Sequence, residues 1–203
     1  MMDFTSFQIY HNSKSDTLDV ILHGGSSEGM EMSLIRKVYQ LSVNQGHSVI
    51  AFNFPFAERG QDQSSGPELV EELGVLQKFL DFCDYKKYKK VRLISKSLGG
   101  IVASFYLDKL NKSLRSKFSI IILGYVTGSL RLKNFNGPIT VIQGEKDKFG
   151  NIEVVKGDLK DVKSRQIRYF EIPKADHSYR DTETKEPVYE DKAMEIFSDL
   201  EEK

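Results

Sequence analysis

Short apolar runs alternate along this chain with longer stretches of helical period. Leu18-Asp19-Val20-Ile21-Leu22, Ser48-Val49-Ile50-Ala51-Phe52, Val91-Arg92-Leu93-Ile94, Ile120-Ile121-Ile122-Leu123 and Ile139-Thr140-Val141-Ile142 have the length and the β-branched character of strands. The runs within Phe118 to Val126 and Pro138 to Gln143 read as strands buried on two faces, and His47 to Phe54 as a buried strand. Phe7 to His11 reads as a short edge strand. Ile167 to Ile172 alternates less cleanly and is expected nearer an edge.

Between these runs the period changes. Leu34, Val38 and Leu41 stand at i, i+4 and i+7, with Asn44 and Gly46 closing the pattern. Leu69, Leu73, Leu76 and Leu80 mark a second helix face; Ser65 with Glu68 reads as a capping box, and Pro67 suits the first turn. Ile101, Val102, Phe105 and Leu110 continue a third helix, and Pro187 opens a last one carrying Ala193, Ile196, Phe197 and Leu200.

Strands that alternate with helices imply an α/β fold, a three-layer α/β/α sandwich around a mostly parallel central sheet. Ligands of such sheets sit at the carboxyl ends of the strands. Only Thr127 to Gly137 separate two of the strands, too few residues for an inserted lid. A length of 203 residues suits one domain, 1–203.

Composition narrows the function classes. The 29 basic and 29 acidic side chains cancel, which is not the footprint of a nucleic-acid binder. A single cysteine, Cys83, allows no intrachain disulfide and permits a reducing compartment. Met1 to Ser6 lacks a basic region followed by an apolar core, and no run is long enough to span a membrane, so a soluble cytoplasmic protein is expected. No Cys/His spacing suggests zinc, and no metal or organic cofactor is expected.

The chemistry gathers on Val91-Arg92-Leu93-Ile94-Ser95-Lys96-Ser97-Leu98-Gly99-Gly100, a strand that turns on small residues directly into a helix. A small-x-Ser-x-Gly turn is tight and strained and lifts its middle serine, here Ser97, off the carboxyl end of the sheet. Ser95 stands at the first small position, where glycine is usual, and Gly99 at the second. Further loops at strand ends carry His23-Gly24-Gly25-Ser26-Ser27, Asn53 to Gly60, Gly144-Glu145-Lys146-Asp147 and Ala175-Asp176-His177. The chain order Ser, Asp, His, each after its own strand, resembles that of the α/β-hydrolases. Within that superfamily the sequence is similar to the small lidless proteins related to dienelactone hydrolases, from about Leu18 to Leu200.

Serine needs an imidazole to take its proton, and the imidazole needs a carboxylate to fix its tautomer. These roles fall to Ser97, His177 and Asp147. Glu145 and Asp176 rival Asp147, but the Gly-x-x-Asp spacing favours Asp147, and Asp176 is poorly placed to bond its neighbour's ring. The resemblance implies an oxyanion hole made by the backbone N–H of Leu98 and one from the glycine loop, Gly25 first and Ser26 second. It implies a serine hydrolase acting on an ester or thioester of a small acyl substrate, with a peptidase as an alternative within the class. A non-enzymatic scaffold on the same fold is the rival from another class.

Other residues receive blander readings. His23 is expected to hold the glycine loop, Ser95 to pack in the turn, and Cys83 to be a buried inert thiol. Arg59 borders the expected site but reads better as a surface ion pair with Glu58 or Glu68 than as a clamp for a substrate carboxylate. Lys86 to Lys90 read as a solvated connector at the amino end of a strand, not as a site for RNA or an acidic partner. Oligomeric state leaves no mark in the sequence.

Overall fold

The computed structural model describes residues 5–200, so the reading over Met1 to Phe4 lies outside the described residues. Seven strands form one sheet: β1 (Phe7–Tyr10), β2 (Thr17–Leu22), β3 (Ser48–Phe52), β4 (Lys90–Lys96), β5 (Phe118–Leu123), β6 (Ile139–Gly144) and β7 (Ile167–Ile172). The helices are α1 (Ser33–Asn44), α2 (Pro55–Glu58), α3 (Val70–Phe82), α4 (Leu98–Lys109), α5 (Lys112–Arg115), α6 (Ile152–Asp158) and α7 (Glu190–Ser198). The strand order is β1-β3-β2-β4-β5-β6-β7, and every pair is parallel except β1 with β3.

Side-chain alternation along the strands divides the interior in two. Leu18, Val20 and Leu22 of β2, with Val91 and Leu93 of β4, face a core shared with Leu76 and Phe79 of α3 and Val102 and Ala103 of α4. Ile21 and Ile94 face the other core, closed by Ile35 and Val38 of α1 and Ala193 and Phe197 of α7. The expected three layers follow from this alternation. Both faces of the central strands are covered, which is why their sequences run almost continuously apolar.

Two of the polar exceptions inside those runs pair with each other. Asp19 of β2 and Arg92 of β4 are partners in the strand register, so both side chains leave the sheet on the same face. Arg92 donates from Nε to Asp19 Oδ1 at 2.6 Å and from Nη2 to Oδ2 at 2.5 Å. His47 Nδ1 lies 3.1 Å from Asp19 Oδ2, and the Phe197 ring of α7 covers the guanidinium at 5.7 Å.

Three helix boundaries differ from the sequence expectation. α3 begins at Val70, not beside Pro67, because Gly66 at φ 120° and Leu69 at φ 52° turn the chain before the helix starts. Ser65 still accepts the Glu71 amide proton at 3.2 Å, but its reciprocal glutamate is the buried Glu72, whereas Glu68 points outward toward Arg131. α7 begins at Glu190, three residues beyond Pro187, whose carbonyl accepts the Glu190 amide proton. Leu110 lies just beyond α4, as its C-cap. The connection between β5 and β6, residues 124–138, holds neither helix nor strand, in keeping with the absence of an inserted lid.

Candidate active site

The turn at the end of β4 is built around one unusual backbone. Ser97 has φ 50° and ψ −113°, a region that costs about 1–3 kcal/mol for a residue with a side chain. It is the N-cap of α4, so the first amide groups of that helix open beside its hydroxyl. Gly99 is demanded by space: a Cβ there would lie 2.6 Å from the Leu22 carbonyl oxygen and 2.7 Å from that of His23. At the other flank Ser95 is fully buried and donates its hydroxyl to the Ile121 carbonyl at 3.0 Å. A serine therefore fits where glycine is usual, because a strand carbonyl satisfies it.

Three parallel strands deliver three side chains to one line. Ser97 Oγ and His177 Nε2 are 2.8 Å apart, and His177 Nδ1 lies 2.7 Å from Asp147 Oδ2. Ionised Asp147 only accepts, so Nδ1 carries the proton and Nε2 is left to accept from the serine hydroxyl. Asp147 Oδ1 accepts the Phe149 amide proton at 2.8 Å, and the carboxylate is fully buried. Phe149 also stands edge-on to the His177 ring at 4.7 Å. Burial holds the imidazole below its ordinary pKa; its hydrogen bond to Asp147 opposes this, and the nearby Lys96 charge adds to the lowering. The ring therefore favours the neutral form that accepts a proton.

The glycine loop stands against this line. A Cβ on Gly24 would meet Ser97 Cβ at 3.5 Å, and one on Gly25 would meet Leu98 Cδ2 at 3.7 Å. The Ser26 amide already donates to the Gly24 carbonyl at 3.0 Å, and the Ser27 amide to Asp62 Oδ1 at 2.6 Å. Neither the Leu98 nor the Gly25 amide has a protein acceptor among the described residues. Of the two loop donors expected from sequence, Gly25 is therefore the one left open.

His23 braces that loop from beneath. It is fully buried, receives the Phe54 amide proton on Nε2 at 2.8 Å, and donates from Nδ1 to the Gly24 carbonyl at 2.7 Å. The Phe54 amide can only donate, so this tautomer is fixed by the hydrogen bonds. Burial drives the pKa of His23 down to about 4, and Phe54 and Phe56 pack on its ring.

Several contributors carried no sequence signal of their own. Gln143, fully buried, donates from Nε2 to Asp147 Oδ2 at 2.9 Å and to the Gly150 carbonyl at 2.7 Å, while its Oε1 accepts the Tyr125 amide proton at 2.7 Å. Gly124 has φ 74°, and a Cβ there would lie 2.8 Å from Lys96 Nζ and 3.1 Å from His177 Cε1. Tyr179, also fully buried, donates its hydroxyl to the Ile142 carbonyl at 2.7 Å.

Glu145 and Asp176, the rival carboxylates, are turned elsewhere. Glu145 binds Lys146 and the Lys174 amide, and Asp176 accepts the amides of Ser178 and Arg180. Arg59 forms a surface ion pair, but with Glu71 at 2.7 Å in place of Glu58 or Glu68. Glu58 instead accepts from the Ser6 amide across the sheet edge, and the late start of α3 carries Glu68 away.

Cys83 is buried, and burial pushes its thiol up to about 11. Lys86 and Lys87 lie in a short turn before β4. Lys89 pairs with Asp16 at 3.0 Å, and Lys117 donates to the carbonyls of Lys86 and Tyr88. This basic segment therefore lies at the opposite end of the sheet from Ser97. Among the described residues there is no cluster of His, Cys, Asp and Glu able to hold a metal ion, and no helix is long and apolar enough to cross a membrane.

Residues 16–202 match the family model described as alpha/beta hydrolase domain. The chain belongs to the α/β-hydrolase family. A Mycoplasma pneumoniae protein named "Putative esterase/lipase 2" is 31% identical over 104 residues, which is 51% of this chain and 35% of that relative's length. Solved structures of this α/β-hydrolase fold align over almost the whole chain. A serine hydrolase homologue from Coxiella burnetii has a TM-score of 0.72 at 14% identity, covering 98% of this chain and 97% of that one. The Pyrococcus furiosus esterase Pf2001 has a TM-score of 0.70 at 18% identity, covering 96% and 85%. Mouse alpha/beta hydrolase domain-containing protein 10 has a TM-score of 0.72 at 11% identity, covering 98% and 95%.

Proposed function

We propose that this α/β-hydrolase is a serine hydrolase that cleaves a carboxylic ester or thioester of a small acyl group through an acyl-enzyme on Ser97. The observation that carries the reading is the unbroken line from Ser97 through His177 to Asp147 at 2.8 and 2.7 Å, set on a strained turn. In this mechanism His177 Nε2 takes the Ser97 proton as Oγ adds to the carbonyl carbon. Asp147 remains ionised and stabilises the imidazolium. The oxyanion is received by the open amides of Leu98 and Gly25, a contribution of about 3 kcal/mol per donor to the barrier. His177 then returns the proton to the leaving alcohol or thiol, whose bond to the carbonyl carbon breaks. Water, activated by the same imidazole, releases the acid and restores Ser97.

The short β5–β6 connection and the partial exposure of Ser97, Leu98 and His177 support an open site suited to small or protruding acyl groups. The test is labelling by a fluorophosphonate probe, with the modified residue identified by mass, followed by turnover of a panel of short acyl esters and thioesters. Labelling at Ser97 that disappears in Ser97→Ala, and turnover that requires both Ser97 and His177, are the expected results. Labelling that persists in folded Ser97→Ala removes the nucleophile assignment. Well-folded protein that neither labels nor turns over any ester instead favours a scaffold role.

A further inference from the structure

Lys96, between Ser95 and Ser97, is only 2% exposed and forms no ion pair among the described residues. Burying an ammonium without a carboxylate at contact distance is costly, and a methionine would fill similar space without that cost. What the lysine has that methionine lacks is a donor and a charge. Its Nζ donates to the backbone carbonyl of His177 at 2.8 Å. Gly124, without a side chain and at φ 74°, leaves the room in which Nζ and the His177 ring come together.

We propose that Lys96 is a positioning residue for the base: it anchors the His177 loop to the end of the sheet and sets a positive charge beside the imidazole that keeps Nε2 free to accept the Ser97 proton. This deepens the serine-hydrolase reading and rests on it. The groups around the ammonium come from three sides. The loop after β6 supplies Asp147 and Lys148, the loop after β7 supplies Asp176, His177 and the Tyr179 ring at 6.0 Å, and the end of β5 supplies Gly124. His177 itself feels Asp147, Lys96 and Lys148. Asp147 favours the imidazolium, and Lys96 opposes it, so that the aspartate orients the ring without trapping a proton on Nε2. Burial lowers Lys96 to about 8 against the pull of Asp147 and Asp176, which leaves it mostly charged at neutral pH.

The test follows the rate of fluorophosphonate labelling against pH in the wild type, Lys96→Gln and Lys96→Met, with His177→Ala as control. Gln keeps an N–H donor, one atom short of the lysine's reach, but has no charge; Met has neither. In both variants the acid limb is expected to move up by about half to one pH unit, so labelling falls about 3- to 10-fold at pH values well below the wild-type limb and little on the plateau at pH 8. Met is expected to lower the plateau as well. Acid limbs that coincide with the wild type in the folded variants overturn the proposal. Wild type that does not label, or labelling that survives His177→Ala, overturns the underlying base assignment instead.

A second measurement on unaltered protein covers variants that fail to fold and wild type that fails to label. With 13C at lysine Cε and histidine Cε1, the Lys96 resonance is expected to show a second step where His177 titrates. Independent single titrations overturn the proposal.

Discussion

His23 Nε2 receives the amide proton of Phe54 at 2.8 Å, which ties the loop after β2 to the first residues beyond β3. The same ring then donates to the Gly24 carbonyl, next to the proposed oxyanion donor. Protonating His23 would set an N–H against the Phe54 N–H, and burial already holds its pKa near 4. The unfolded chain takes up this proton near pH 6.5 and the folded chain only near 4, so the unfolded state binds more protons between the two. Stability is therefore expected to fall with pH through that window, by about 3 kcal/mol in all, and to change no further through this group below it. Urea midpoints from pH 7 to 4 check this. In His23→Ala the slope should flatten and stability at pH 7 should drop by about 2 kcal/mol, because the Phe54 amide and the Gly24 carbonyl lose their partner, so that the gap to the wild type closes toward pH 4.

Acid acts separately on the Asp19–Arg92 pair. Burial alone would raise the Asp19 carboxyl, but the Arg92 charge and the bonds from His47 and Arg92 bring it below its ordinary value. Its stabilisation is present above about pH 4 and is lost as pH falls through the lower, folded-state pKa. Asp19→Asn is expected to cost about 3–5 kcal/mol at pH 7, since it leaves Arg92 buried without its counter-charge. Thermal unfolding at pH 7 and pH 3 should show the gap between variant and wild type narrowing in acid.

Gly124→Ala sets both strain and bulk against His177, the proposed base. The new methyl would enter space held by Lys96 Nζ and His177 Cε1, on a backbone at φ 74°. A loss of about 1–3 kcal/mol in stability and about 10²-fold in labelling rate is expected, with the rate loss persisting well below the melting temperature. Stability and labelling measured at 15 °C separate the two effects.

Gln143→Leu should leave the Tyr125 amide, the Gly150 carbonyl and one oxygen of Asp147 without their shared partner. About 3 kcal/mol of stability and about 10²-fold in kcat are expected to go, with KM changing less, because the carboxylate loses its orientation and the proposed substrate site beside Ser97 does not. Steady-state kinetics on the best ester of the panel check the split.

The layers of the fold were legible because strand and helix periods alternate so plainly, from Leu18 to Leu22 and from Leu34 to Leu41. The candidate site was legible in part, because the strands of a parallel sheet end on one side, which brings Ser97, Asp147 and His177 together from distant positions. The supports were not. Gln143 and Lys96 lie within strand runs where any neighbour pattern reads as core, and their partners, Tyr125, Asp147 and Gly150 for the one and the His177 carbonyl for the other, come from loops beyond the strand ends. The start of α3 was misplaced because a serine, proline and glutamate in capping order cannot reveal a left-handed Leu69. α6 was missed because seven residues carry too few apolar positions, although Asn151, whose side chain accepts the Val154 amide proton, marked its start.

The backbone of Ser97 has a consequence for engineering. Ser97→Ala and Ser97→Gly should be equally inert, yet only glycine relaxes a φ of 50°, so the glycine protein is expected to melt higher than the alanine one. The turn would then be a place where durability was given up for a hydroxyl held at the ready, and the difference between two dead proteins would measure how much.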